Sequence, residues 1–348
     1  MRIALIQSNP LVGDLQGNRQ RLQQQCLQAA EAGAELALAP ELALWGYPPR
    51  DLLLQLALRQ QQDRQLDQLS GALPPGFGLL LGVVETSGQK LFNAMALVER
   101  GGWRLVARKR LLPSYDVFDE QRYFHSGDQP ALLSWGGQRL GLTLCEDLWV
   151  EPKISGRNAP LCDPIAELQP LKPDLLINLS ASPFGQGKAE RRRQLAGAAQ
   201  QRLGCPVLYV NQVGGNDELI FDGNSFVLDA TGALQQQLPC GESALQIWDS
   251  QSPATPTPPE PLSPEAQLWR MLVLGVQDYA RKCGFRKALL GLSGGIDSAL
   301  VAALAVAALG SQQVRALLMP SPYSSEGSLQ DSLALASRLN LATSTVPI

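Results

Sequence analysis

The chain reads as an α/β protein in two domains, and three observations carry that reading. Short apolar strands alternate with amphipathic, glutamine-rich stretches through residue 249. A proline-rich segment nearly empty of apolar residues follows, and beyond it a strand, a glycine turn and an alanine-rich helix come in succession. A length of 348 residues suits two domains of about 100–200 residues each.

In the first part, apolar runs bounded by polar or turn residues predict strands at Arg2–Ile6, Leu36–Ala39, Leu79–Val84 and Asn93–Val98, with another ending near Val106. Further strands are predicted at Leu140–Leu144, Leu175–Asn178, Val207–Val210 and Ser225–Leu228. Helical spacing occupies Asn18–Ala32 and Asp51–Ser70. Strands this uniformly apolar imply a central sheet covered by helices. Residues 250–262 read as an extended linker.

The second part, 263–348, opens with a helix from Pro264 to Cys283, in which Leu268, Leu272, Val276 and Tyr279 recur at three- and four-residue intervals. A strand at Lys287–Leu290, a helix at Ser298–Leu309, a strand at Val314–Met319 and a helix at Leu329–Leu339 follow. Two strands leave open edges and uncovered apolar surface, so this domain is expected to be incomplete.

Composition excludes several classes of function. A net charge of -3, with Arg191–Arg193 as the basic cluster, argues against nucleic-acid and anionic-membrane surfaces. The six cysteines include no Cys-x-x-Cys pair and no secretory signal precedes them, which speaks against a disulfide framework or a zinc site. The apolar run Ala299–Leu309 is too short for a membrane span, and the expected location is cytoplasmic. The single histidine, His125, reads as a hydrogen-bonded loop residue, so the base for any nucleophile is expected to be a carboxylate or a lysine.

Two constellations carry chemistry. Gly291-Leu292-Ser293-Gly294-Gly295-Ile296-Asp297-Ser298 joins a strand to a helix N-terminus, which is an anion-binding arrangement. It is neither a Walker loop nor a Gly-x-Gly-x-x-Gly fingerprint. Its Ser-Gly-Gly-Ile-Asp-Ser order resembles the ATP pyrophosphatase superfamily, which implies ATP as cosubstrate. In the first domain, Cys145 ends a strand, where α/β sites collect their nucleophiles. Glu41 follows the buried Leu36–Leu38, where a poorly solvated carboxylate can take a thiol proton near neutral pH. The run Arg108-Lys109-Arg110 supplies a cation, beside which a thiolate is expected to be favoured; taken singly, these segments also read as surface charges, satisfied loop ends and an inert core cysteine.

The order Glu41, Lys109, Cys145 resembles the nitrilase superfamily, and the likeness extends over 1–249. It implies an α-β-β-α sandwich in which Glu41 is the general base, Lys109 steadies an oxyanion and Cys145 forms a thioester. Glu120 then orients Lys109 or makes a structural salt bridge. The two domains together resemble the glutamine-dependent NAD synthetases, through Tyr115–Glu120, Cys145–Trp149 and Asn211–Gly223. That resemblance implies that L-glutamine, ATP and nicotinic acid adenine dinucleotide are the substrates, with ammonia passing internally between the sites. It also implies a homo-oligomer.

By the same resemblance Tyr115, Ser182 and Lys188 hold glutamine, although Lys188 also reads as a solvated helix start. Ser293 and Ser298 are expected to reach ATP's phosphates, and Asp297 to assist Mg²⁺ or the helix N-terminus. Met319 meets the adenine or fills a core position. The family's synthetase domain continues through further strands and helices, so 263–348 reads as the N-terminal part of a partial Rossmann-like ATP pyrophosphatase domain. Two alternatives remain: a stand-alone nitrilase-type amidase with a vestigial nucleotide segment, and a non-catalytic nucleotide-binding scaffold.

Overall fold

The structure is a computed structural model that describes residues 1–156, 158–251 and 262–348. Residues 252–261, most of the proposed linker, lie outside the described residues. The described residues form two compact units: Met1–Gly214 with residues 221–251, and Gly215–Ile220 with Leu262–Ile348.

The first unit begins with β1 (Arg2–Gln7), α1 (Leu15–Glu31), β2 (Leu36–Leu38), α2 (Leu56–Ala72), β3 (Gly78–Ser87), β4 (Lys90–Glu99) and β5 (Gly102–Arg108). It continues through β6 (Ala131–Trp135), β7 (Gln138–Leu144), the short helices α3 (Pro152–Ser155) and α4 (Pro164–Leu168), β8 (Leu175–Ser180), α5 (Lys188–Leu203) and β9 (Val207–Asn211). The chain then forms β10 (Val213–Asn216) and β11 (Leu219–Asp222), of which Gly215–Ile220 belong to the second unit, and the first unit ends with β12 (Phe226–Leu228), β13 (Leu234–Gln237) and β14 (Ala244–Asp249).

Two six-stranded sheets result, in the orders β14-β1-β2-β3-β4-β5 and β13-β12-β9-β8-β7-β6. Each has three parallel strands at its centre, β1-β2-β3 in one and β7-β8-β9 in the other, extended by antiparallel neighbours. Strand periodicity sends alternate residues to opposite faces, so Ile3, Leu5, Leu36, Leu38, Leu80, Met95 and Leu97 meet Leu140, Leu142, Leu144, Leu175, Ile177, Leu179 and Leu208 in the layer between the sheets. The intervening residues of the second sheet, Leu176, Val207, Tyr209 and Phe226, pack outward against Leu195, Ala196 and Ala199 of α5. The helices α1 and α2 bury Leu15, Leu22, Cys26, Leu66 and Leu69, which completes the helix–sheet–sheet–helix order.

The first and last strands are partners: β14 runs antiparallel to β1, with Arg2 opposite Asp249. Several elements, β6, β13, β14 and the β10–β11 hairpin among them, extend the predicted strand set. Gly136 and Gly137, both with positive φ, make the two-residue turn from β6 to β7.

The second unit contains α6 (Pro264–Lys282), β15 (Ala288–Gly291), α7 (Ile296–Leu309), β16 (Val314–Leu318), α8 (Glu326–Arg338) and β17 (Ala342–Thr345). Ser263 caps α6 through its hydroxyl, and Pro264 occupies the first turn, where a missing N–H costs nothing. The parallel order β15-β16-β17 corrects the expectation of two strands. Its core is Leu292, Ala302, Ala305, Val314, Ala316, Leu318, Ala336 and Leu341. The helix after the glycine turn starts at Ile296, two residues earlier than expected, with Gly295 as its cap. Within this unit Gly215 donates its N–H to Asp278 Oδ2 at 2.8 Å, and Lys282 Nζ donates to Asn216 Oδ1 at 2.7 Å.

Candidate active site

The carboxyl ends of several strands place the candidate residues. Glu41 follows β2, Lys109 follows β5 and Cys145 follows β7, which lies in the other sheet. Lys109 and Glu41 are fully buried, and Lys109 Nζ donates to Glu41 Oε1 at 2.7 Å and to Glu120 Oε1 at 2.7 Å. The backbone of Lys109 is fixed as firmly: its N–H reaches Asn93 O at 2.8 Å, and its C=O accepts from Gly127 N at 2.8 Å. Glu41 Oε1 accepts from Asn93 Nδ2 at 2.7 Å, and Glu41 Oε2 accepts from the Ala181 N–H at 2.9 Å. Tyr47 donates its hydroxyl to Glu120 Oε1 at 2.7 Å, while the other buried oxygen, Glu120 Oε2, has no hydrogen-bond partner among the described residues.

Burial sets the electrostatics of this cluster. It pulls the Lys109 ammonium down, but Glu120 and Glu41 outweigh it and hold the group well above its ordinary value. Burial pushes Glu120 up to about 7 against the pull of Lys109, and Glu41 adds to the rise. Cys145 is raised well above 9.0, first by burial and then by the Glu41 carboxylate, with Lys109 opposing. The expectation of a favoured thiolate is therefore corrected. At rest the thiol is neutral, because desolvation and an adjacent anion exceed the attraction of one ammonium already paired twice.

The Cys145 backbone has φ +42°, a left-handed conformation that lifts the nucleophile candidate out of the strand direction. Non-glycine residues persist there only when their surroundings hold them. Residues 145–148 form a tight 3-10 turn. The buried Asp147 spans it, accepting from Leu144 N at 3.0 Å, and also accepts from Arg110 N at 2.9 Å and Leu111 N at 2.8 Å. Burial raises its carboxyl to about 6 despite those donors.

Tyr115, Lys188 and Ser182 are the predicted glutamine residues. Tyr115 donates its hydroxyl to Glu146 at 3.0 Å and stacks edge-on against Phe118, with centroids 5.4 Å apart. Lys188, the first residue of α5, lies 5.6 Å from the Phe118 ring and 5.7 Å from that of Trp149. Ser182 is buried, with its backbone held by Asn211 at the end of β9. Arg192, in the basic cluster, is fully buried against Asp222 at 2.6 Å and is not part of a charged surface. His125 is an exposed loop residue whose N–H bonds Leu91 O at 2.8 Å.

Sequence reasoning missed Tyr47, Asn93, Glu146, Asp147 and Ala181. Tyr47, Glu146 and Asp147 lie inside the motifs that flag Glu41 and Cys145, but nothing local names the distant groups they bond. Asn93 and Ala181 carried no signal, being a strand residue and a backbone amide.

In the second unit, the serines of the phosphate loop close on one another: the Ser293 and Ser298 hydroxyls are 3.0 Å apart, and Ser298 Oγ donates to Gly295 O at 2.9 Å. Gly294 has φ +82° and passes so near α8 that a Cβ would stand 2.4 Å from Ser328 O. The loop runs from Gly291 and the buried Leu292 to Ile296, Asp297 and Ser298, with Asp297 exposed in the first turn of α7. Met319 is half-exposed, and its Cε would meet a Cβ on Gly291 at 3.1 Å. Among the described residues no group of three His, Cys, Asp or Glu could hold a metal ion, and no helix is long and apolar enough to cross a membrane.

Comparison with known proteins matches residues 2–255 to the carbon-nitrogen hydrolase family and residues 268–348 to NAD synthase. Over 99% of its length the chain is 44% identical to a glutamine-dependent NAD(+) synthetase of Synechocystis, and over 100% it is 38% identical to one of Rhodobacter capsulatus. It spans 64% and 62% of those two relatives. The structure of glutamine-dependent NAD+ synthetase from Acinetobacter baumannii with adenosine diphosphate superposes with a TM-score of 0.90 at 34% identity, covering 100% of this chain and 64% of that one. A nitrilase-superfamily amidase from Nesterenkonia shares the fold of the first unit, with a TM-score of 0.60 at 24% identity over 71% of this chain and 89% of its own. The chain belongs to the carbon-nitrogen hydrolase family and carries that module ahead of an NAD synthase segment, along a sequence similar throughout to glutamine-dependent NAD(+) synthetases.

Proposed function

We propose that the first unit hydrolyses the side-chain amide of L-glutamine at Cys145, and that the second binds ATP for the amidation of nicotinic acid adenine dinucleotide to NAD. The observation that carries the first half is the buried Lys109, held 2.7 Å from both Glu41 and Glu120 beside the Cys145 thiol. A thiol that is neutral at rest has to lose its proton as it attacks. Glu41 takes that proton while the sulfur adds to the amide carbon, Lys109 stabilises the oxyanion, and the proton passes to the departing nitrogen, which leaves as ammonia. Glu41 then activates the water that cleaves the thioester, releasing glutamate and restoring the thiol.

Support for glutamine over a simple aliphatic amide comes from the rim of the site, where Lys188 and Glu146 bracket the aromatic cluster of Tyr115, Phe118 and Trp149. A cation and an anion suit the carboxylate and ammonium of an α-amino acid, and a plain amide has neither.

For the second half, the backbone amides of the Gly291–Ser298 loop and the Ser293 and Ser298 hydroxyls suit the phosphates of ATP. Asp297 and the two hydroxyls are hard oxygen donors, the set Mg²⁺ takes when phosphates complete its shell. When bound, Mg²⁺ would neutralise charge developing on the phosphates. We read 1–249 and 263–348 as the two working modules, in a cytoplasmic homo-oligomer.

Ammonia release from L-glutamine, measured with the wild type and Cys145→Ala, tests the reading. Turnover abolished by the substitution is expected. Inertness toward glutamine with Cys145-dependent turnover of another amide would establish the stand-alone amidase, and activity that survives Cys145→Ala would remove the site altogether.

A further inference from the structure

Lys109 and Cys145 leave different sheets, so no strand pairing sets the distance between them. One carboxylate does reach both segments. Asp147 Oδ1 accepts the N–H groups of Arg110 and Leu111, the two residues after Lys109, at 2.9 and 2.8 Å. Asp147 Oδ2 accepts the N–H of Leu144, the residue before Cys145, at 3.0 Å. Both oxygens are used by backbone, and the side chain is 2% exposed.

We propose that Asp147 is a positioning residue, a clamp between the two sheets that fixes the Cys145 thiol relative to the Lys109 ammonium and holds the left-handed turn at Cys145. Three observations support it. A backbone N–H has a fixed direction, so three of them converging on one carboxylate define its place and the places of their own segments. The φ of +42° at Cys145 needs such a restraint, and the Asp147–Leu144 bond closes that turn. Burying a carboxylate is costly, and a purely structural link between sheets could be made by apolar packing. The proposal rests on the reading of Cys145 and Lys109 as reacting groups.

The test compares wild type, Asp147→Asn and a chain in which the Leu111 amide is replaced by an ester, all at full length. Asparagine keeps the shape but sets an NH₂ against one of the backbone donors, and the ester removes one donor while leaving every side chain intact. Readouts are kcat and KM for ammonia release and the rate of Cys145 alkylation by iodoacetamide, which needs no assumption about the substrate. For Asp147→Asn, kcat and alkylation are expected to fall about 100-fold, the scale of a 1 Å misplacement, with KM within about threefold. The ester is expected to give a smaller fall of the same kind.

Rates within twofold of wild type in a folded variant would overturn the clamp, as would a rise in KM with kcat unchanged. Should Asp147→Asn fail to fold, the ester decides alone. Failure of the functional reading looks different: Cys145→Ala would keep its ammonia release, while alkylation of Cys145 would still report on the clamp.

Discussion

Glu120 titrates near neutrality in a cluster built from two carboxylates and one ammonium. Its value of about 7 lies above the ordinary 4.5, so it favours the folded state below pH 4.5, and that contribution is lost as the pH rises to about 7. Glu120→Gln removes the titration. The melting temperature of the variant relative to wild type is therefore expected to climb between pH 4.5 and 7, and a difference that stays flat in calorimetry would contradict the assignment. Gly82 of β3 supports a second prediction, because a Cβ there would stand 2.1 Å from Leu42 N and 2.5 Å from Glu41 Cα. Backbone cannot yield as a side chain tip can, so Gly82→Ala is expected to displace Glu41 and lower kcat for ammonia release about 100-fold. Wild-type turnover in that variant would show that the close approach is dispensable. Glu41 was legible in the sequence because a charge directly after the buried Leu36–Leu38 has nowhere wet to go, whereas Lys109, which follows a partly exposed strand, was legible only through the family resemblance. Tyr47 was not, since its partner Glu120 stands 73 positions away and only the folded sheets bring them together.

Among the elements, strands buried on both faces were the readable ones, and they failed to announce themselves where that burial was missing. Ala342–Thr345 pairs as β17 although its residues are mostly exposed and carry no apolar run, so parallel pairing with β16 makes the strand. The start of α5 at Lys188 was legible as a solvated helix start, but its buried face was not: Arg192, in the basic cluster, turns inward to Asp222. The loop between β15 and α7 was legible because its glycines answer a geometric need. Gly294→Ala would combine a disfavoured φ of +82° with a clash against Ser328 O, moving the loop away from α8. Titration calorimetry with ADP is expected to show at least a tenfold loss of affinity in that variant. An unchanged affinity would place the nucleotide elsewhere.

At the scale of the whole molecule, the two units keep separate apolar cores: the layer between the sheets and the face under α5 in one, and the small cluster of Leu292, Ala302, Val314 and Ala336 in the other. Separate cores permit separate melting. ADP at a hundred times its dissociation constant should stabilise only the unit that binds it, by about 2.7 kcal/mol, so scanning calorimetry is expected to show one transition rising and another unmoved. A single transition that shifts as a body would refute this. Composition suggests a division into two parts, because proline and polar residues interrupt the apolar pattern near 250–262, but it gives no sign that Gly215–Ile220 belongs with the second unit. The pairing of β1 with β14 was not readable either, since nothing local in either strand names a partner more than two hundred residues distant. That pairing also has a mechanical meaning. Because Arg2 faces Asp249, a pull applied through the two ends of the module would load its terminal hydrogen bonds in sequence and not all at once. The sandwich would open like a zipper from that edge at low force, while the parallel strands at its centre, loaded later, would resist.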